Sequence, residues 1–355
     1  MVAADLREGT LRDGKPADRI TRHASVVFDP LAQCPRWKEF LGQVFGQSED
    51  LIGFIQPAVG YCLTGDTREQ CLFLCHGSGA NGKSTFLTVL NNVLGDHAYN
   101  LPFSAFELKA RSSITNDVAA LAGRRFVTAI ETDESCRLNE ARIKALTGGD
   151  PITARLLYRE FFTFKPTAKY WLAFNHRPRI DDDSHGFWRR VRMIPFLQQF
   201  TGDRDDKELL AKLLAESPGI LAWAVRGCLE WQKVGLGLPT SVSEATREYR
   251  EECDPLADFI EDRCVIENGA QVASRELWDA YQYWNSYESG RALDRTTFTH
   301  RLEARGLTPG RRGHDRTRIW NGIRLRSDSR AADARTDADM DSAIAAGNGR
   351  KAEKQ

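Results

Sequence analysis

Gly77-Ser78-Gly79-Ala80-Asn81-Gly82-Lys83-Ser84-Thr85 is the stretch from which the fold can be read. It matches G-x-x-x-x-G-K-[ST] without a gap. Gly77, Gly79 and Gly82 let the backbone curl, so that successive N–H groups through Asn81 and Thr85 point at the phosphates of a nucleotide. Lys83 supplies a point charge to the β- and γ-phosphates, and the Ser84 hydroxyl is placed for Mg²⁺. The flanks agree. Cys71-Leu72-Phe73-Leu74-Cys75 is a short apolar run that predicts a buried strand. Phe86, Leu90, Val93 and Leu94 then recur at helical spacing and Gly95 marks a stop. A strand–loop–helix order sets a helix N-terminus against the phosphates. A chance glycine-rich turn needs none of this context.

Around that stretch the chain has 355 residues, room for two or three domains. Apolar content of 41% and charged content of 28% are ordinary for a globular protein. Net charge is zero, so any nucleic-acid signal has to be local. The eight cysteines form no C-x-x-C pair, and with the seven histidines they show no metal-ligand spacing. Reduced structural thiols in a cytoplasmic protein are expected. No run is long and apolar enough for a membrane span or a signal peptide.

Downstream, Phe126-Val127-Thr128-Ala129-Ile130 predicts a second strand, ending in Glu131-Thr132-Asp133-Glu134. Carboxylates at that strand end suit the second half of a phosphate site: one holds Mg²⁺, another polarises the attacking water. Glu131 is assigned to Mg²⁺; the base is left between Asp133 and Glu134. A helix bearing Ile143, Lys144 and Leu146 follows. Residues 152–166 then read as a β-hairpin whose tip carries Tyr158, Arg159 and Glu160. Tyr170-Trp171-Leu172-Ala173-Phe174 predicts a third strand, and Asn175 at its end either orients water or caps a turn. Asp181-Asp182-Asp183 reads as a solvated loop. Arg189, Arg190 and Arg192 precede another apolar strand, as solvated ends or as a finger reaching a neighbour's γ-phosphate.

Residues 1–35 are polar and turn-rich, with one or two short strands. From Pro35 to about Gly65 two helical faces appear: Trp37, Phe40, Leu41 and Val44, then Leu51, Phe54, Ile55 and Val59. Residues 203–235 look helical. Thr240-Ser241 with Glu244 predicts a capping-box helix that stops at Asp254-Pro255. Beyond it come helices with Leu277, Tyr281 and Trp284, then Phe298 and Leu302. Residues 306–313 are expected to turn between two short strands, the outline of a winged helix. Residues 295–326 hold nine Arg and two acids, net +7, an electrostatic footprint for phosphates. Residues 327–355 are expected to be disordered.

Taken together, five stretches resemble the superfamily 3 helicases, specifically the helicase part of phage and plasmid primase–helicases, which poxviruses share. They are Gly79–Thr85, Glu131–Glu134, Lys144-Ala145-Leu146-Thr147-Gly148-Gly149-Asp150, Ala173-Phe174-Asn175-His176-Arg177-Pro178 and Trp188-Arg189-Arg190-Val191-Arg192. The resemblance covers most of residues 7–325. It implies an α/β fold: a P-loop, AAA+-like parallel sheet core with an N-terminal helical segment and a C-terminal winged helix. The expected domains are 1–65 (leading segment), 66–202 (helicase core), 203–250 (helical connector), 251–326 (winged helix) and 327–355 (tail).

The implied activity is ATP-dependent unwinding in phage, plasmid or mobile-element replication, inside a bacterial or host cytoplasm. ATP and Mg²⁺ are the cofactors, a homo-hexamer the assembly, and single-stranded and forked DNA the partners. Lys83, Ser84 and Glu131 carry over to phosphate and Mg²⁺, Asn175 to sensor 1, and Arg189 or Arg190 to the finger acting across a subunit interface. The hairpin, with Arg155, Tyr158, Arg159 and Lys165, matches the element that grips single-stranded DNA, an aromatic for stacking beside cations for phosphate. Arg301, Arg305, Arg311, Arg312, Arg316 and Arg318 are the further DNA-binding candidates. With some 70 residues ahead of the P-loop, any priming activity is expected to be encoded elsewhere, in a separate primase, or to be absent. An ATP-switched initiator without unwinding activity is the first rival, and a packaging-type motor on duplex DNA the second.

Overall fold

The computed structural model describes residues 2–108, 116–131, 136–182, 184–287, 293–313 and 316–326. Asp133, Glu134, Asp183 and the tail 327–355 lie outside them. Contacts divide the chain into two units, Met1–Cys253 and Asp254–Gln355.

In the first unit a small hairpin, β1 (Val2–Asp5) and β2 (Thr10–Asp13), precedes α1 (Pro35–Val44) and α2 (Glu49–Cys62). The apolar faces read from sequence are the buried ones: Trp37, Phe40, Leu41 and Val44 on α1, and Leu51, Phe54, Ile55 and Val59 on α2. Ser48 caps α2 by accepting from the Leu51 N–H, and Glu49 and Asp50 in its first turn suit the helix dipole. Next come β3 (Leu72–His76), α3 (Lys83–Leu94), β4 (Ala98–Asn100), α4 (Asn116–Ala119), β5 (Phe126–Ile130) and α5 (Glu140–Gly148). The hairpin β6 (Ile152–Arg155) and β7 (Phe161–Phe164) follows, then β8 (Lys169–Phe174), α6 (His185–Trp188) and β9 (Val191–Pro195). Three helices close the unit: α7 (Leu209–Ala215), α8 (Ser217–Val234) and α9 (Thr240–Glu252).

The central sheet has strand order β4-β5-β8-β3-β9, every pair parallel. Its strands are buried on both faces, as parallel strands covered by helices must be. Alternation sorts their side chains. Phe73, Cys75, Trp171 and Ala173 join the core formed with α1, α2, α3 and α8. Leu72, Leu74, Tyr170, Leu172 and Phe174 join the opposite core, which includes Ile143, Leu146 and Tyr249. The α2–α8 crossing depends on absent side chains. A Cβ at Gly60 would lie 2.0 Å from the Cys228 backbone nitrogen, and one at Gly227 would lie 2.1 Å from the Gln56 carbonyl oxygen.

Two local expectations fail here. α9 starts where the capping box predicts, but no side chain of the box caps it. The Ser241 hydroxyl instead donates to Asp50 Oδ2 at 3.1 Å. Asp181 and Asp182 are not a solvated loop: Asp181 pairs with Arg137 and Asp182 with Lys144, which also donates to Ser184 Oγ. That pairing gives Lys144 an anchoring role.

The second unit runs α10 (Pro255–Arg263), β10 (Cys264–Ala273), α11 (Ser274–Tyr287), α12 (Arg295–Ala304), β11 (Thr308–Arg312) and β12 (Thr317–Leu325). Its sheet is antiparallel in the order β10-β12-β11. The core is built from Phe259, Leu277, Tyr281, Phe298, Leu302 and Trp320, among others. The stretch expected to turn, residues 306–313, is mostly strand: β11 carries Pro309 on an edge, where a missing N–H costs no ladder bond.

Candidate nucleotide site

The candidate site lies at the C-terminal ends of β3, β5 and β8. β8 stands between the other two, so its last residue is followed by Asn175 beside both the P-loop and Glu131. A cavity of about 260 Å³ is lined by Gly79 through Thr85, Glu131 and Asn175, with Ile130, Ala173 and Phe174. The loop geometry requires its glycines at two places. A Cβ on Gly77 would meet Asn81 Nδ2 at 2.0 Å and the Phe196 carbonyl oxygen at 2.3 Å, and Gly82 sits at φ +83°. Asn81 is buried and braces the loop, donating to the Phe196 carbonyl oxygen at 3.1 Å.

Lys83, the first residue of α3, is 5% exposed. Its ammonium donates to Gly77 O at 2.7 Å, Asn81 Oδ1 at 2.8 Å and Asn175 Oδ1 at 3.0 Å. All three acceptors are neutral, and burial lowers the Lys83 pKa. Across the cavity, burial raises the Glu131 pKa. One of its oxygens accepts from the Cys136 thiol at 3.0 Å; the other, Oε2, is buried without a well-formed hydrogen bond among the described residues, and the nearby Asn175 and His176 backbone offsets part of the effect of burial. Among the described residues, the cavity thus holds a cation that meets no anion and a carboxylate oxygen with no well-formed hydrogen bond. Such groups are costly to bury unless something completes them. His76, which precedes the loop, is pushed down to about 4 by burial and by the charges of Arg177 and Lys83, so it is neutral near pH 7.

The arginines part company. Arg190 is buried; its Nε donates to Thr147 Oγ1 at 3.2 Å and its Nη1 to the Gly186 carbonyl. Arg189 is exposed and donates to the Gln70 side chain. Both precede β9, whose start pairs with the start of β3. They lie at the far end of the strands from the P-loop, about 16 Å away for five residues of strand rise. Arg189 does not line the cavity of its own chain.

The expected hairpin forms as β6–β7, in register from Ile152↔Phe164 to Arg155↔Phe161. Its tip is open: Tyr158 is fully exposed at φ +59°, Arg159 and Lys165 are exposed, and the Arg155 guanidinium lies 4.8 Å from the centre of the Phe161 ring. Leu156 and Leu157 are exposed beside Tyr158. In the second unit two candidates turn inward. Arg301 is 5% exposed and donates to Asp254 Oδ1 at 2.9 Å, and Arg305 pairs with the other oxygen of that carboxylate. Both are internal struts. Arg311, Arg312, Arg316 and Arg318 are exposed.

Sequence reading missed Cys136, Gln70 and Thr147 as partners of Glu131, Arg189 and Arg190. Thr147 falls inside a quoted motif; for the other two no sequence signal existed.

A glycine-rich strand–loop–helix on a five-stranded parallel sheet, with a carboxylate and an amide at the adjoining strand ends, places the first unit in the α/β class. Residues 3–46 match the family described as D5 N terminal like, and residues 251–305 that described as Poxvirus D5 protein-like. Residues 75–190 match a family of unknown function (DUF5906). "Putative helicase L207/L206" of Acanthamoeba polyphaga mimivirus is 32% identical over 302 residues, 78% of this chain and 31% of that protein. "Putative primase C962R" of African swine fever virus is 27% identical over 242 residues, 61% of this chain and 25% of that protein. The apo structure of the NrS-1 C-terminal region shares the fold at TM-score 0.54 and 14% identity, over 66% of this chain and 55% of that one. The chain belongs to the D5-like primase–helicase family. It spans between a quarter and a third of the length of the curated relatives named here.

Proposed function

We propose that the chain is an ATP-dependent DNA helicase of the superfamily 3 type, with an AAA+-like core working as a hexamer on single-stranded and forked DNA. The observation that carries this reading is the pair Lys83 and Glu131. A buried ammonium held, among the described residues, by neutral oxygens is suited to triphosphate oxygens, and the buried Glu131 carboxylate, whose Oε2 has no well-formed hydrogen bond there, to a cation. Mg²⁺ bound between Glu131 and Ser84 would offset phosphate charge. Lys83 exchanges its neutral partners for phosphate oxygens. That frees Asn175 Oδ1, which then orients the attacking water. A carboxylate of Asp133 or Glu134 is the base.

Arg189 is the finger. It is exposed and remote from its own cavity, so it serves a neighbouring subunit, and ATP turnover depends on assembly. The Tyr158–Arg159 tip supplies a stacking face and a cation to a strand passing through the ring. The second unit, with helix–strand–helix–helix–hairpin order, acts as a winged helix that adds phosphate contacts through Arg311, Arg312, Arg316 and Arg318.

ATP hydrolysis measured with and without single-stranded DNA tests the reading. Stimulation by the strand in wild type and loss in Lys83→Ala is expected. An unchanged rate in Lys83→Ala would refute the phosphate role.

A further inference from the structure

The second unit holds a cavity of about 420 Å³ that the motor reading does not use. Trp320 of β12, Trp278 of α11 and Phe298 of α12 line it, together with Ile319. Trp278 is half-buried and fixed: its ring meets Phe298 edge-on at 5.1 Å and lies 5.7 Å from Tyr281. At the rim stand Arg295, Arg311 and Arg318. Arg311 and Arg318 are direct register partners across β11 and β12, and like charges so placed repel. The Arg295 guanidinium lies 5.9 Å from the centre of the Trp278 ring. Among the described residues that line the cavity there is no carboxylate to offset these three cations.

A held aromatic face beside three guanidinium groups suits a planar, phosphate-bearing ligand. The volume lies toward the small end of ligand pockets, which run from about 300 to 1,000 Å³, and suits one nucleotide. A paired base offers its faces only to its stack neighbours, so the ligand has to be unpaired.

We propose that this cavity captures a single unpaired nucleotide of a DNA strand, its base against Trp278 and its phosphate among Arg295, Arg311 and Arg318. The proposal rests on the reading of this chain as a DNA-handling enzyme, and not on ATP turnover. It adds to the winged-helix reading a preference for DNA that carries unpaired bases, such as a fork or a gap.

The test uses the full chain without ATP or Mg²⁺, so a failed motor leaves its readout intact. A duplex carrying one unpaired 5-iodouracil is irradiated and the crosslink mapped. A crosslink at Trp278 is expected. Trp278→Leu should lose roughly thirtyfold in affinity for the gapped duplex, the middle of the range for one stacked base, with little change for a blunt duplex. Trp278→Phe, which keeps the stacking face, should retain most of that affinity. Arg318→Ala, an exposed change that leaves the core alone, should weaken the gapped duplex more than the blunt one. Crosslinks confined to residues 152–166, or equal losses on gapped and blunt DNA in Arg318→Ala, would overturn the proposal. So would thymidine monophosphate binding as tightly as the oligonucleotide, which would mark a site for free nucleotides.

Discussion

Positive charge is used in two opposite ways in the two units. In the first, one lysine is withdrawn from water and given three neutral acceptors, a costly arrangement that a single well-placed anion relieves. In the second, Arg311, Arg312, Arg316 and Arg318 stand in solvent on or beside a hairpin, where each phosphate contact is weak and salt-screened. Burial makes the first site selective for one ligand geometry. Exposure makes the second tolerant of sequence and sensitive to ionic strength. Arg301 and Arg305 belong to neither set, because both are engaged with the Asp254 carboxylate.

The largest effect should come from Lys83→Ala, with ATP hydrolysis abolished and nucleotide binding lost in a direct binding assay. Next is the contrast between adjacent arginines. Arg189→Ala should keep nucleotide binding and cost roughly 10³-fold in turnover, as removal of an in-trans finger does. Arg190→Ala should instead lower the melting temperature, because its bonds to Thr147 and Gly186 are internal. Equal turnover in wild type and Arg189→Ala would remove the finger assignment.

In the second unit the same test separates strut from surface. Arg301→Ala removes one of the two arginines paired with Asp254 and empties a buried position, and should lower that unit's stability in a denaturant titration. Arg312→Ala should leave stability unchanged and reduce the slope of log affinity for DNA against log salt by about 0.9. If Arg301→Ala changed only the salt slope, the partition would be wrong.

The smallest effect is one of pH. His76 and His97 take up protons near 6.5 when unfolded but only near 4 when folded, chiefly because of burial. Between those values the unfolded chain binds more protons, so this stability is complete above pH 6.5 and is lost as pH falls toward 4. The melting temperature should drop from pH 7 to 5, and less so in a His76→Gln, His97→Gln double variant.

How much of this was legible in the sequence follows from how local each cause is. The P-loop, its strand and helix, the β6–β7 hairpin and the buried faces of α1 and α2 all obey rules acting within ten or so residues, and each appears where the pattern put it. β4 is three residues long, too short for any period. β10 escaped because Glu267-Asn268-Gly269 interrupts it at a register shift, and only Cys264 and Val272 are buried. Ser241 left its capping box for Asp50, 191 residues away. Charge counts carry no direction, so nine arginines looked alike until Asp254 took two of them. At the candidate site the motif residues Lys83, Glu131 and Asn175 were legible. That Lys83 meets only neutral acceptors and Glu131 Oε2 no well-formed hydrogen bond among the described residues, which argues most strongly for ligand binding, is a property of three-dimensional burial alone.

The central claim is that ATP turnover at the Lys83 cavity drives a DNA strand past the Tyr158–Arg159 tip. The most direct test is ATP-dependent unwinding of a forked DNA by wild type and by Arg159→Ala, with ATP binding measured in both. The account predicts unwinding by wild type and its loss in Arg159→Ala at unchanged ATP binding. ATP hydrolysis without unwinding on any fork, or full unwinding by Arg159→Ala, would contradict it; the former would favour an ATP-switched DNA-binding initiator instead.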